Sequence, residues 1–135
     1  MSETLVDSNV ILDVLTEDPQ WFEWSAAALE EQAERSLLVI NPLIYAEVSI
    51  RFKRIEDLDD ALSASMFRRD ALPSPAGFLA GKAFVKYRRT GGERRSPLPD
   101  FYIGAHAAIG GMTLLTREGS RYRTYFPSLQ LVSPS

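Results

Sequence analysis

The chain has 135 residues, with 15 Lys and Arg against 18 Asp and Glu, and its net charge of −3 argues against an overtly basic nucleic-acid binder. Hydrophobic residues make up 45% and charged residues 24%, the balance of a globular domain, which excludes long disorder and fibrous low-complexity structure. With no cysteine, disulfides, thiolate zinc sites, iron–sulfur clusters and a cysteine nucleophile are ruled out. The total hides an asymmetry: residues 1–50 sum to −9 and residues 51–135 to +6. The length predicts one domain over 1–135. The opening Met1-Ser2-Glu3-Thr4 has neither a basic stretch nor a long apolar one, so a cytoplasmic protein without a membrane span is expected.

In chain order, a first short strand is expected at residues 5–6, with helix after it. Trp21, Phe22, Trp24, Ala26, Ala28, Leu29 and Ala33 then form a broad apolar stripe at helical spacing. The Trp21-Phe22-Glu23-Trp24 cluster reads as core, or alternatively as a groove for a partner helix or second subunit. A second strand is expected at 37–40. Neither run alternates, as suits strands covered on both faces.

Asn41-Pro42 is a helix start, because Asn can cap free N–H groups and Pro at the first position loses no bond. That helix is expected from Pro42 to about Lys53. Leu58, Leu62, Ser65 and Met66 mark another, closing before Pro73. Ser74-Pro75 repeats the cap-plus-proline signal, with Leu79, Ala80, Ala83, Phe84 and Tyr87 as the buried face. Residues 91–99 read as a loop, and Pro99 opens a helix that stops at Gly110-Gly111. Strands at 112–115 and 129–132, joined by a turn, complete the order β-α-α-β-α-α-α-α-β-turn-β. Such alternation implies an α/β fold of three layers, α/β/α, around a short and mainly parallel sheet.

In such sheets ligands bind at the carboxyl ends of the strands, and four acids fall there. Asp7 follows the first strand; it can be a turn or helix cap as readily as a ligand. Glu47 shares a helix face with Leu43, Ile44 and Ile50, where a solvated Glu is unexpected, although its stem alone could be covered. Asp100 sits in the first turn of its helix, where the dipole alone would favour an acid. Gly104 and Ala107 on the same face would let that helix approach the sheet closely. Glu118 follows the strand at 112–115, beside Arg117 and Arg121, and by itself reads as an exposed loop residue. Like charges gathered at one edge raise each other's pKa unless something positive sits among them. A hard divalent cation, Mg²⁺ or Mn²⁺, is the economical answer, and such ions activate water and stabilise charge on a phosphoryl group.

Four stretches carry a family resemblance. They are Leu5-Val6-Asp7-Ser8-Asn9-Val10-Ile11-Leu12-Asp13, Asn41-Pro42-Leu43-Ile44-Tyr45-Ala46-Glu47-Val48, Pro99-Asp100-Phe101-Tyr102-Ile103-Gly104-Ala105-His106-Ala107, and Leu114-Leu115-Thr116-Arg117-Glu118 with Tyr122-Arg123-Thr124-Tyr125-Phe126-Pro127 behind it. Together they resemble the PIN-domain family and, within it, the VapC-like toxins of toxin–antitoxin pairs. The resemblance implies a PIN-like fold and a metal-dependent endoribonuclease that cuts RNA, often tRNA. It also implies a small cognate antitoxin as partner, and a homodimer. It assigns Asp7, Glu47 and Asp100 as metal-holding acids, Glu118 as a fourth acid, and Asn9 and Thr116 as supporting polar residues. Related sequences usually have Asp where Glu118 stands, so its carboxylate reaches differently.

Asp13 reads as a support for the site or as an ordinary helix acid. His106, the only histidine, is about 120° around its helix from Asp100, which disfavours a general base. Ser8 lacks the His and Asp partners of a nucleophilic triad. Lys82, Lys86, Arg88, Arg89, Arg94 and Arg95 form a basic run that is either a solvated face or, with Arg117, Arg121 and Arg123, a set of RNA phosphate contacts. A catalytically silent RNA- or protein-binding module is the alternative to the nuclease. A receiver-type phosphoacceptor lacks its adjacent acidic pair here, and Asp7-Ser8-Asn9 lacks the second Asp of a haloacid-dehalogenase-like phosphatase. A bound divalent ion would cancel two charges, taking the sum from −3 to −1.

Overall fold

The computed structural model describes residues 2–91 and 97–135. Its elements run β1 (Ser2–Val6), α1 (Ser8–Leu15), α2 (Phe22–Arg35), β2 (Ser36–Ile40), α3 (Pro42–Ser49), α4 (Ile55–Ala61), β3 (Phe67–Arg69), α5 (Ser74–Arg89), α6 (Leu98–Gly110), β4 (Thr113–Leu115), α7 (Gly119–Tyr125) and β5 (Leu131–Val132). The five strands form one sheet in the order β3-β2-β1-β4-β5, with every pairing parallel. Helices on both sides make the expected three layers. No helix among the described residues is long and apolar enough to cross a membrane.

Consecutive residues of the central strands are buried: Leu5 and Val6, Val39 and Ile40, Leu114 and Leu115. Both faces of these strands are therefore covered, which is why their sequence shows no alternation. Around them pack Val10 and Ile11 of α1, Ile44 and Val48 of α3, and Phe101 and Ile103 of α6. β1 extends back to Ser2 because its polar start is also paired: Thr4 Oγ1 meets Ser36 Oγ at 2.8 Å and Gln32 Oε1 at 3.1 Å. The buried side of α2 is accordingly Ser25, Ala28, Leu29 and Gln32, whereas Ala33 is exposed and the two Trp are half-buried.

Two helix signals act as the sequence suggests. Asn41 Oδ1 accepts the Ile44 N–H at 3.0 Å, with Pro42 at the first helical position. Gly111, at φ 65°, ends α6 in the left-handed region that favours glycine. Ser74, by contrast, is the first residue of α5 and makes no capping bond; Pro73 holds the cap position.

Three expectations are corrected. The helix from Pro42 stops at Ser49, and the one expected through Met66 stops at Ala61. The chain then forms β3, an edge strand with a single buried residue, Phe67. Arg68 and Arg69 face solvent there and pair with Asp70 and Asp59, and charge on an edge blunts further strand pairing. The expected turn before the last strand is the helix α7.

Candidate metal-binding acidic site

The strand order places the site before any side chain is considered. β1 lies beside β4, and the chain leaving β1 runs to β2 on one side while the chain leaving β4 runs to β5 on the other, which opens a crevice beyond their carboxyl ends. Asp7 is the residue that follows β1, and its N–H bonds Leu115 O of β4 at 2.9 Å. Thr116, which follows β4, is fully buried beside it. A cleft of about 180 Å³ opens here, with Asp7, Asp100, Glu118, Arg121 and Tyr122 in its walls.

Asp7 is 4% exposed, and neutral donors surround its carboxylate. Oδ1 accepts the Ser8 N–H at 2.8 Å, so Asp7 also caps α1. Oδ2 accepts from Thr116 Oγ1 at 2.9 Å and from the Tyr122 hydroxyl at 3.2 Å. Burial pushes the Asp7 carboxyl up to about 7; the charges of Asp100 and Glu47 add to the rise, and the Thr116 and Ser8 bonds oppose it. Tyr122 titrates well above its usual range, first through burial and then through the field of Asp7 and Asp100, so it remains a protonated donor.

Glu47 reaches the cluster from α3, where its Oε1 accepts from Ser8 Oγ at 2.9 Å. Burial raises its pKa, Asp100 raises it further, and the Ser8 bond offsets part of this. Asp100 comes from the first turn of α6. Its carboxyl is raised first by burial and also by Glu118, against the opposing Arg121, whose Nη1 lies 2.9 Å from Oδ2. Solvent screens that shift, because 40% of the Asp100 side chain is exposed. Glu118 lines the cleft, but its side chain is 74% exposed and meets Arg117 only at 3.7 Å. The structure thus brings Asp7, Glu47 and Asp100 into mutual electrostatic contact, with Glu118 at the rim.

Asn9 and Thr116 link the two strand ends. Asn9 Oδ1 accepts the Arg117 N–H at 3.1 Å, and its Nδ2 lies 3.4 Å from Thr116 Oγ1 and 3.5 Å from Asp7 Oδ2. Asp13 is more than an ordinary helix acid. It is 3% exposed, accepts from Ser25 Oγ at 2.7 Å, and takes both Arg117 Nε at 2.9 Å and Nη2 at 3.1 Å. Arg117, expected on RNA, is therefore turned inward as a fork onto Asp13, and its guanidinium stacks 5.4 Å from the Trp21 ring centre. Arg88 and Arg89 are exposed in the last turn of α5, where the helix dipole favours cations. Arg94 and Arg95 lie outside the described residues.

Gly104 serves a different contact from the one its spacing suggests. A Cβ there would come within 2.8 Å of Phe126 Cε2 and 2.9 Å of Tyr122 Cδ1, so it admits the rings of Tyr122 in α7 and of Phe126 just after it rather than the sheet. His106 is buried away from the acids, with Nδ1 3.0 Å from Asn41 Nδ2. Because Asn41 Oδ1 is used by Ile44, the amide donates and His106 Nδ1 accepts. Burial lowers the His106 pKa, against an opposing pull from Asp70, and so favours the neutral ring. Ser8, Tyr122 and the Arg121–Asp100 pair were not assigned to the acid cluster from sequence. The only local signal for them is their position next to Asp7 or just after Glu118.

The donor set fits a hard divalent ion in its chemistry. It is all oxygen, and neither Asp7 nor Glu47 has a cationic partner among the described residues. The same residues do not yet converge: among the described residues no three His, Cys, Asp or Glu side chains are gathered closely enough to ligate one ion. Ser8 holds Glu47 and Arg121 holds Asp100.

Solved structures with the same fold include VapBC2 from Rickettsia felis bound to a promoter DNA fragment (TM-score 0.73, 18% identity, covering 98% of each chain). A toxin–antitoxin complex from Klebsiella pneumoniae (0.73, 19%, 98% of each) and FitAcB from Neisseria gonorrhoeae (0.70, 20%, 97% of each) are similar to it as well. No curated protein matches the chain in sequence. The PIN-domain family model matches residues 4–127, from within β1 to just past α7, and so takes in every acid of the cleft. The chain belongs to the PIN-domain family.

Proposed function

We propose that the protein is a metal-dependent endoribonuclease and the toxin of a toxin–antitoxin pair, restrained by a small cognate antitoxin and acting as a homodimer. The observation that carries the nuclease reading is the state of Asp7: a buried carboxyl at the switch point of the sheet, pushed up to about 7 first by that burial, with Asp100 and Glu47 contributing. A fold keeps such a cluster at a cost in stability unless a cation is to join it. Mg²⁺ or Mn²⁺ held by Asp7, Glu47 and Asp100 would supply activation of a water and neutralisation of charge on the phosphoryl oxygens. The toxin reading is supported by the toxin–antitoxin assemblies among the structures that share the fold.

The chain's own groups divide the remaining work. Thr116 and Tyr122 fix Asp7 Oδ2, and Ser8 orients Glu47. The guanidinium of Arg121 and the cations at the end of α5 are exposed and would be free to contact the phosphates of an RNA. The only histidine is committed to Asn41, so no imidazole is placed to deprotonate a ribose 2′-hydroxyl. Attack by water is then expected to leave 5′-phosphate and 3′-hydroxyl ends.

The catalytically silent module remains a second reading because Glu118 points largely to solvent. The test is cleavage of bulk transfer RNA by wild type and Asp7→Asn. Cleavage by wild type alone, with 5′-phosphate ends, supports the nuclease. Cyclic phosphate ends refute the water mechanism, and RNA binding without cleavage by either protein identifies the silent module.

A further inference from the structure

We propose that Arg121 is a resident counter-cation of the acid cluster, which a divalent ion displaces from Asp100 and which then binds the RNA phosphate. The inference rests on the metal-dependent reading above. Among the described residues, the one ion pair made by Asp7, Glu47 or Asp100 is Arg121 Nη1 to Asp100 Oδ2 at 2.9 Å. It joins α7 to the first turn of α6 across the mouth of the cleft. The guanidinium therefore already occupies part of the role that a metal would take: it places positive charge among acids that otherwise raise one another's pKa.

The pair is built to exchange. Both side chains are about two-fifths exposed, at 41% and 40%, and the contact is a single nitrogen on a single oxygen rather than a fork. Such pairs are weak and solvent-screened. Arg117, four residues earlier, shows the opposite design, with a two-pronged grip on an Asp13 carboxylate that is 3% exposed. A dication at Asp100 would repel the guanidinium and take its acceptor. The released side chain stays near the cleft, because it already rests 5.9 Å from the Tyr87 ring centre. A planar guanidinium suits phosphate oxygens better than an ammonium does. Metal loading and phosphate binding are thereby coupled through one side chain.

The test compares Arg121→Gln, Arg121→Lys and Arg123→Gln by Mn²⁺ titration calorimetry without RNA and by filter retention of bulk transfer RNA with Ca²⁺ in place of Mn²⁺, so that the RNA is bound under conditions that keep it intact. Arg121→Gln and Arg123→Gln remove the same charge from the same helix, so a change in net charge alone would move both alike. Arg121→Gln is expected to bind Mn²⁺ about threefold tighter than wild type, the scale of an exposed ion pair, and Arg123→Gln within about 1.5-fold. Arg121→Lys keeps the cation, so its Mn²⁺ affinity stays close to wild type while its RNA affinity falls about fivefold with loss of the guanidinium fork. Equal Mn²⁺ affinities for Arg121→Gln and Arg123→Gln overturn the proposal and leave the metal site standing. RNA affinity unchanged in both Arg121 variants overturns the phosphate contact. Failure of wild type and Arg121→Gln alike to take up Mn²⁺ removes the metal reading and this inference together.

Discussion

Replacing Asp7 with Asn should stabilise the metal-free protein at pH 8 while abolishing its activity. The Asp7 carboxyl stands at about 7 in the folded protein against an ordinary 3.8. A carboxyl raised by folding contributes stability that is fully present below 3.8 and lost as pH rises through 7. By pH 8 the ionised side chain therefore costs about 4 kcal/mol, at 1.36 kcal/mol per unit. Asn removes that cost but accepts less well. Its Oδ1 can keep the Ser8 N–H, while its amide nitrogen must face the Thr116 and Tyr122 hydroxyls that now donate to Oδ2. Mismatched buried hydrogen bonds of this kind cost about 1–2 kcal/mol. The net gain at pH 8 is about 2 kcal/mol, or about 6 °C in Tm for a chain of this length. At pH 5 the wild-type penalty has fallen to about 1.5 kcal/mol, so the gain should vanish. Thermal melts in EDTA at the two pH values, followed by circular dichroism, measure it directly. An Asp7→Asn protein less stable than wild type at pH 8 refutes the claim that burial and neighbouring acids strain this carboxylate.

Three further outcomes follow from the same contacts. Asp13→Ala strips a buried partner from Arg117 and should cost about 2–3 kcal/mol in urea denaturation, with a loss of activity because the 116–118 segment is tied through Arg117. Gly104→Ala drives a methyl group into the Tyr122 and Phe126 rings, so about 2 kcal/mol of overpacking is expected, together with slower cleavage as the Tyr122 hydroxyl leaves Asp7. Arg88→Ala/Arg89→Ala should lower the salt slope of RNA binding by about 1.4, the release of two counterions from single-stranded RNA; an unchanged slope makes this end of α5 an ordinary solvated face.

The parts of the fold that could be read in the sequence are those whose signals are local. Asn41-Pro42 and Gly110-Gly111 bound helices through backbone chemistry that needs no tertiary partner. The unalternating strands mark themselves through their apolar runs. β3 left no such mark because, as an edge strand, it buries Phe67 alone and spends Arg68 and Arg69 on ion pairs. α7 begins at a glycine and carries Arg121 and Arg123, and what holds it is the packing of Tyr122 and Phe126 into the space left by Gly104.

The site divides in the same way. Asp7, Glu47 and Asp100 were legible as acids at strand ends or on an apolar helix face. Tyr122 meets Asp7 across 115 positions, and Ser8 meets Glu47 across 39, so these bonds have no counterpart in spacing or periodicity. Asp13 and Arg117 are separated by 104 positions, and their pairing turns an expected phosphate contact into an internal brace. The uneven charge takes on a sharper meaning as well. The acids at the cleft come from both halves of the chain, while the exposed Arg88, Arg89 and Arg121 come from the basic half, so the net −3 does not describe the surface an RNA would meet.

In the function proposed above, the carboxylates of the cleft work through a divalent cation on RNA. The most direct measurement of this is the rate of RNA cleavage by the purified, EDTA-treated protein before and after Mn²⁺ is restored. No cleavage is expected in EDTA, with recovery on adding Mn²⁺ and no recovery in Asp100→Asn. Cleavage that persists in EDTA, or full activity in Asp100→Asn, would contradict it.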